Sequence, residues 1–353
     1  MSPSVTFKSN EDKAPQSGAL VDSAGKPVPP AAVLSEQVAA PFTPSHGRAP
    51  REMPPRPVGL VDLGPAAALR VTGPDREKWM QGMQSNDLAA APFGGAVAGV
   101  FLGGKGRLVA EGLVWRRDGE VLVTTLPERL QPLHAHLDRL LIMEDCELAP
   151  APGLRRLRFC PGPPPKGMVS SDIAGAAAEI AGSVQPLGFE MLLDESAAQA
   201  LLARIPERAD PAALEEWRIA LGLPAWGSEL DEETTALEAG LDRQLSFAKG
   251  CYVGQEVVAM ATYRGRVSWN LVRLEVEGEA PVPGTRVDPA RATSSERRGR
   301  VTSSTRAGTT AVFLAYVHKE LIVPGSTVLL EDGRSATVLG LPFASQPGAG
   351  VCA

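Results

Sequence analysis

The sequence is poor in the residues that build metal centres and disulfide frameworks. It has 4 Cys and 4 His in 353 residues, and no two cysteines stand in a CxxC spacing. Zinc ribbons and thioredoxin-like redox motifs are therefore excluded, and four cysteines would give only a thin disulfide framework for this length. We assign no metal site, and we expect a reducing compartment, the cytoplasm.

Long apolar runs and an excess of positive charge are also missing. No hydrophobic run approaches the roughly 18 residues of a membrane-spanning helix. The N-terminus lacks the continuous apolar core of a secretory signal, so we expect neither export nor membrane association. The formal net charge of −6 disfavours direct nucleic-acid binding, which depends mainly on cationic contacts to phosphates. Two short basic stretches, at 263–267 and 295–306, are interpreted as solvated charge, with contact to RNA or an acidic partner as the alternative.

The patterning predicts an irregular tail followed by three folded segments. Residues 1–55 are rich in Pro, Ala and Ser and lack periodic burial. The next segment, 56–160, reads as strand, a helix over 73–88, three antiparallel strands and a second helix, an α+β rather than a doubly wound layout. The stretch "FCPGPPPKG" (159–167) marks a break before a second segment, 161–268, in which Asp194 and Asp210 are predicted to cap two helices. From 269 to 353 only short strands are predicted, typical of a small β-barrel or sandwich.

Several charged residues and one glycine loop are ambiguous from periodicity alone. Glu111 and Glu190 fall in predicted strands and Arg218 in a predicted helix, so each could face either solvent or a cavity. The loop "GGKGRL" (103–108) superficially resembles a phosphate-binding loop. It lacks the GK[ST] ending and leads into a strand rather than a helix, so we predict a hairpin turn.

The stretch "KGCYVGQE" (249–256) is the densest cluster of reactive groups. A cysteine is nucleophilic only as the thiolate, which a nearby cation or a helix N-terminus favours. Lys249 lies two residues before Cys251, and a helix is predicted to start near Gly254. In the alternative interpretation Gly250 and Gly254 shape a tight turn and Cys251 is a small hydrophobic residue inside it. The residues alone leave both interpretations open.

Four stretches of the sequence resemble a known family, and the resemblance covers roughly residues 58–343. "VGLVDLG" and "LRVTGPDREKWMQGMQSNDL" are similar to the opening of the aminomethyltransferase (glycine cleavage T-protein) superfamily, and "FLGGKGRLVAEGLVW" to its next hairpin. The stretch ending in "FAKGCYVGQEVV" resembles one branch, the YgfZ-type folate-binding proteins, marked by K-G-C-Y-x-G-Q-E. The residues that match this motif are Lys249, Gly250, Cys251, Tyr252, Gly254, Gln255 and Glu256.

The resemblance implies a fold, a ligand and a cellular role. Two folate-binding segments, 56–160 and 161–268, and a C-terminal β-barrel, 269–353, would surround a central opening that holds tetrahydrofolate. The branch maintains iron–sulfur proteins and affects tRNA-modifying enzymes, so iron–sulfur client or assembly proteins are the implied partners besides folate.

The resemblance also assigns roles to individual residues. By position, Glu111, Glu190 and Arg218 would bind the cofactor: a glutamate can accept from the pterin N–H groups and an arginine can pair with the glutamate tail. Cys251, activated by Lys249, would be the catalytic thiol.

Departures from the family pattern keep two other functions open. Aminomethyltransferases usually carry paired aspartates in the hairpin where this chain has Ala110-Glu111, which weakens the case for aminomethyl transfer. Met260 stands where the branch normally has an arginine. The alternatives are a folate-dependent aminomethyltransferase and a non-catalytic scaffold stabilised by folate.

Overall fold

A computed structural model of the chain describes residues 47–160, 181–264, 267–291 and 298–342. Most of the predicted tail and most of the predicted break lie outside these residues, as do parts of the two basic stretches. In the part of the chain that the structure describes, no helix is both long and apolar enough to cross a membrane.

The first half of the chain forms an antiparallel five-stranded sheet with helices packed against it. The prediction of strand, helix, three strands and helix for this region is confirmed. The elements here are the strands β1 (Gly59–Pro65), β2 (Ala67–Thr72), β3 (Ala96–Leu102), β4 (Leu108–Arg116), β5 (Val121–Thr125) and β6 (Glu147–Pro150), and the helices α1 (Arg76–Met83) and α2 (Pro127–Asp138). The sheet order is β3-β4-β5-β2-β6, and the loop 103–107 joins β3 and β4 as the predicted hairpin turn. Trp79 and Met80 of α1 and Leu133 and Leu137 of α2 fill its core.

Helix α1 is shorter than the predicted helix over 73–88. It ends at Met83, and Gln84 is extended, with φ −118° and ψ 160°. Ser85 is fully buried; its hydroxyl donates to the carbonyl of Gln244 at 2.5 Å and accepts from the amide of Val100 at 2.9 Å. These contacts to distant parts of the chain replace the next helical turn, and sequence patterning does not reveal them.

A second antiparallel sheet has the order β1-β7-β9-β8, with β7 at Leu154–Cys160, β8 at Ala181–Gln185 and β9 at Gly188–Asp194. Strands from both sides of the predicted boundary at 160–161 therefore build one sheet. Helices α3 (Glu195–Arg204) and α4 (Pro211–Leu221) follow. Their predicted caps are confirmed, because Asp194 accepts from the amide of Ala197 and Asp210 from that of Ala212.

The C-terminal part is a closed six-stranded barrel, which decides between the predicted barrel and sandwich. Its strands are β10 (Trp269–Glu277), β11 (Arg286–Pro289), β12 (Gly299–Ala307), β13 (Thr310–His318), β14 (Thr327–Leu330) and β15 (Ser335–Gly340). The order is β10-β13-β12-β11-β14-β15, and pairing of β10 with β15 closes it. Alternate apolar side chains such as Val272, Leu274 and Val276 fill the interior.

The residues before β1 lie against this barrel. Gly47 pairs with Gly340, and the amide of Arg48 donates to the carbonyl of Leu339 at 2.7 Å. Arg51 then binds the buried Glu275 of β10, with 2.6 Å between Nε and Oε1. The last residues of the predicted tail are thus attached to the barrel.

Candidate functional site

Glu111 is the point where separate parts of the chain meet. It lies on β4 of the first sheet and is half-buried. The Gln244 side chain lies beside its carboxyl group, and Arg156 of β7 and Arg218 of α4 act on it through their charges. Burial raises the pKa of Glu111 to about 7, and these three groups oppose that rise. At neutral pH this carboxyl group can therefore either donate or accept a proton.

Replacing Glu111 with Gln should make the chain more stable at high pH relative to the unchanged protein. The pKa of Glu111 rises from 4.5 to about 7 on folding, so this group's contribution to stability is complete below pH 4.5 and is lost as pH rises through 7. Glutamine cannot ionise, so Glu111→Gln should gain up to about 3 kcal/mol in free energy of unfolding at about pH 8. Urea unfolding of both proteins between about pH 4 and 8 measures the difference.

The low-pH end of that titration is the internal control, because both side chains are then neutral and the two proteins should unfold alike. A difference that does not change with pH would show that the carboxyl group of Glu111 titrates normally.

Glu190 is fully buried between two arginines. Its Oε1 lies 2.6 Å from Nε of Arg156 and its Oε2 lies 2.6 Å from an Nη atom of Arg158. Burial alone would raise the pKa of Glu190, but the two arginines outweigh burial and hold it below its usual value. Both carboxylate oxygens are thus engaged by β7, the neighbouring strand. The predicted contact with a pterin ring stays a prediction, and it would require an exchange of these partners.

Arg218 joins α4 to the barrel. Its guanidinium group binds Glu215 on its own helix at 2.7 Å and the buried Glu229 at 3.1 Å. It also donates to the hydroxyl of Ser303 on β12 at 3.1 Å and to the carbonyl of Leu223. Contact between Arg218 and a folate tail likewise stays a prediction, because the side chain already has a full set of protein partners.

Sequence reasoning missed four residues of this region. Arg156 and Arg158 alternate along β7 and so point to the same face as Glu190, a signal present in "LRRLRFC". Glu229 accepts from Arg218, from the amide of Ala225 at 3.0 Å and from Ser303 at 2.6 Å. Gln244 carries no local signal, and the partner that ties Glu229 to the barrel, Ser303, lies 74 residues away in the sequence.

The stretch 249–256 forms a loop that leads into helix α5 (Gln255–Arg264), as predicted. Cys251 is a free, exposed cysteine, whereas Cys146 is half-buried and Cys160 buried. Gly254 has φ +81°, and a Cβ there would lie 2.8 Å from the Gly103 carbonyl oxygen, so only glycine suits this close approach. The β3–β4 hairpin therefore packs against the start of α5.

The remaining motif residues support this loop. The Gln255 side chain accepts from the amide of Tyr252 at 3.1 Å, and the Tyr252 ring is buried. Glu256 is exposed on the outer side of α5. Lys249 is half-buried, and burial lowers its pKa to about 8 although Asp87 opposes the shift.

Comparison with known proteins gives related proteins of two kinds. The chain is 28% identical over 312 residues to an aminomethyltransferase of Rubrobacter xylanophilus, covering 81% of this chain and 82% of that protein. It is 28% identical over 289 residues to the tRNA-modifying protein YgfZ of Serratia proteamaculans, covering 75% of this chain and 85% of that protein. It is 27% identical over 281 residues to the mitochondrial iron–sulfur cluster assembly factor IBA57 of Mus musculus, covering 72% of this chain and 76% of that protein.

The solved structure of the glycine cleavage system aminomethyltransferase T from Bartonella henselae has the same fold. It matches with a TM-score of 0.64 at 19% identity, over 92% of this chain and 94% of that chain. No protein-family model matches the sequence. The chain is thus similar, over most of its length, to aminomethyltransferases and to a YgfZ protein. The predicted α+β fold class with a C-terminal barrel is confirmed.

One segment of the chain connects the two candidate centres. Gln244, at its start, lies beside the half-buried carboxyl group of Glu111, and Cys251, seven residues later, is exposed. The half-buried Glu111 and the exposed thiol are therefore both close to neighbouring parts of one segment.

Proposed function

We propose that this chain is a tetrahydrofolate-binding protein that supports the assembly or repair of iron–sulfur clusters, and through client enzymes the modification of tRNA. The observation that carries the proposal is the exposed thiol of Cys251 on the loop that also reaches Glu111. The two relatives with cluster-assembly and tRNA-modifying names support the cellular role.

The folate would bind beside Glu111, with Glu190 and Arg218 as the further predicted contacts. A carboxyl group whose pKa is about 7 suits the pterin ring, which presents both N–H donors and acceptor atoms. Arg156 retains some exposure, 19% of its side chain, and a guanidinium group binds the carboxylates of a glutamate tail in a two-pronged geometry. Arg156 is thus a candidate ligand that the family comparison did not suggest.

The thiol of Cys251 would carry the chemistry. Three roles fit an exposed thiol: a nucleophile toward a one-carbon unit, a transient ligand for a cluster, or a partner in thiol exchange with a client protein. Each of these needs a reduced cysteine, so we propose the cytoplasm as the compartment.

Aminomethyl transfer is the alternative favoured by the Rubrobacter relative. The hairpin sequence Ala110-Glu111 argues against it, since the usual paired aspartates are absent. A turnover assay with a carrier-bound aminomethyl group and tetrahydrofolate separates the two, because only the aminomethyltransferase releases ammonia and methylene-tetrahydrofolate. A non-catalytic scaffold would bind folate but would not need the thiol.

Tetrahydrofolate should raise the melting temperature of the purified protein. A ligand that binds only the folded state, present at about one hundred times its Kd, adds about 2.7 kcal/mol of stability. Tetrahydropteroate, which lacks the glutamate tail, is the matched control and should give a smaller shift because it loses both tail carboxylates and keeps only its benzoate carboxylate for an arginine. If no reduced folate shifts the melting temperature, the folate part of the proposal is wrong.

A further inference from the structure

The ammonium group of Lys249 has one backbone acceptor for each of its donors. Its Nζ lies 2.5 Å from the carbonyl oxygen of Gln84 and 2.8 Å from that of Asn86, and it also bonds the carbonyl of Gln81. A lysine ammonium has three N–H donors and no acceptor. All three donors are therefore used on these carbonyl groups.

These carbonyl groups belong to the end of α1 and the turn that follows it. The last carbonyls of a helix have no partner within the helix, and a cation near them is favourable because of the helix dipole. Lys249 binds one of them, that of Gln81, and the amide of Val253 binds another, that of Gly82, at 3.1 Å. The loop on both sides of Cys251 is thus a cap for the C-terminal end of α1.

Further bonds fix the same loop a few residues earlier. The amide of Ser246 donates to the carbonyl of Ser85 at 2.9 Å, and the Ser246 hydroxyl accepts from the amide of Lys249 at 3.2 Å. The Lys249 ammonium also lies 5.1 Å from the centre of the buried Tyr252 ring. Gly250, in contrast, has nothing within 4 Å of where a Cβ would be. The backbone is open at the residue beside the thiol and anchored on either side.

We propose that Lys249 is a positioning residue: it pins the Cys251 loop to the C-terminal end of α1 and does not act on the thiol itself. The three carbonyl groups occupy every donor of Lys249, so no N–H group is left to bond the sulfur, and activation of Cys251 would have to act through the charge of Lys249 alone. The functional importance of holding Cys251 in this place rests on the function proposed for Cys251. The anchoring itself is a property of the protein alone.

Two measurements on the purified full chain separate positioning of the loop from activation of the thiol. Both are made on the unchanged protein, on Lys249→Met and on Lys249→Arg. Chymotrypsin cleavage after Phe247 and Tyr252 reports opening of the loop. Alkylation of Cys251 by iodoacetamide at neutral pH, followed on the Cys251 peptide by mass spectrometry, reports on the thiol. In Lys249→Met we expect chymotrypsin to cleave about tenfold faster, because local opening of the loop sets the cleavage rate. Alkylation of Cys251 should be no slower than in the unchanged protein. Lys249→Arg keeps the charge and offers several donors, so it should restore most of the protection.

Lys105→Met is the matched control, since Lys105 is exposed on the β3–β4 hairpin that packs against the start of α5. It removes a nearby positive charge without removing the anchor and should leave both rates unchanged. If Lys249→Met does not fold, Lys249→Gln, which keeps two donors, replaces it, and intermediate protection is expected. Alkylation slowed about tenfold with cleavage unchanged would overturn the proposal in favour of activation. Unchanged rates in both assays would show that the loop holds without Lys249.

Neither assay contains folate or a client protein. If these assays show no effect of Lys249, the proposed function is therefore not affected. If tetrahydrofolate does not shift the melting temperature, the anchoring of the loop by Lys249 is not affected.

Discussion

Replacing Arg218 with Leu should lower the free energy of unfolding by about 3–5 kcal/mol, as expected when one partner of a buried ion pair is removed. Arg218 is 7% exposed and Glu229 is 3% exposed, so water cannot take over the role of the guanidinium group. The change would leave the Glu229 carboxylate buried without its cation, and it would remove the bond to Ser303 that ties α4 to β12. Urea unfolding followed by circular dichroism measures the loss.

The second carboxylate on the same arginine provides a matched control. Glu215 binds Arg218 at 2.7 Å, but its side chain is 56% exposed, so Glu215→Gln should cost no more than about 1 kcal/mol. A double-mutant cycle with Glu229→Gln then isolates the energy of the buried pair. If Arg218→Leu costs as little as Glu215→Gln, the buried pair does not join α4 to the barrel, and Arg218 becomes available for a ligand.

This result bears on function because Arg218 was predicted to bind folate. A stabilising role and a binding role make different demands, since a side chain that holds α4 on the barrel cannot turn to a ligand without losing those contacts. Measuring folate affinity in Arg218→Leu at a urea concentration where it is still folded would separate the two roles.

Most elements of the fold could be predicted from the sequence because their signals are local. The caps at Asp194 and Asp210, the apolar spacing of α2 and the hairpin "GGKG" all depend on residues within a few positions of each other. Strand β11 was missed because its four residues, "RVDP", lack the apolar alternation of a strand. It is part of the barrel because β12 and β14 on either side pair with it.

The candidate site was predicted only in part, because its contacts join distant segments. Glu111 was found through the family resemblance, whereas its neighbour Gln244 carries no pattern that predicts proximity across 133 residues. The role of Lys249 could not be predicted for the same reason. Proximity in sequence suggested an effect on Cys251, but the ammonium group bonds carbonyls 163 to 168 residues away. Sequence spacing indicates which groups are close along the chain and does not show which way they point.

Replacing Cys251 with Ala should abolish the support that the protein gives to cluster-dependent enzymes. In cells that lack the unchanged protein, we expect the activity of such an enzyme to fall about tenfold, toward the level without any copy of the chain, since the thiolate is the reacting or ligating form of cysteine. The cause would be chemical rather than structural. Cys251 is exposed, so the free energy of unfolding should change by no more than about 0.5 kcal/mol.

Two further cysteine variants control for size and for general thiol loss. Cys251→Ser keeps the size of the side chain but not its chemistry and should fail like Cys251→Ala. Cys146→Ser removes a half-buried thiol outside the motif and should keep full activity. Protein levels measured in the same cells exclude loss through degradation.

The central claim is that the Cys251 thiol performs the work of the protein, and the most direct measurement is the activity of an iron–sulfur enzyme in cells carrying Cys251→Ser. The account predicts the same low activity as in cells without the protein, at normal protein levels and with tetrahydrofolate binding retained. Activity equal to that of the unchanged protein would contradict it and would leave a folate-stabilised scaffold as the function.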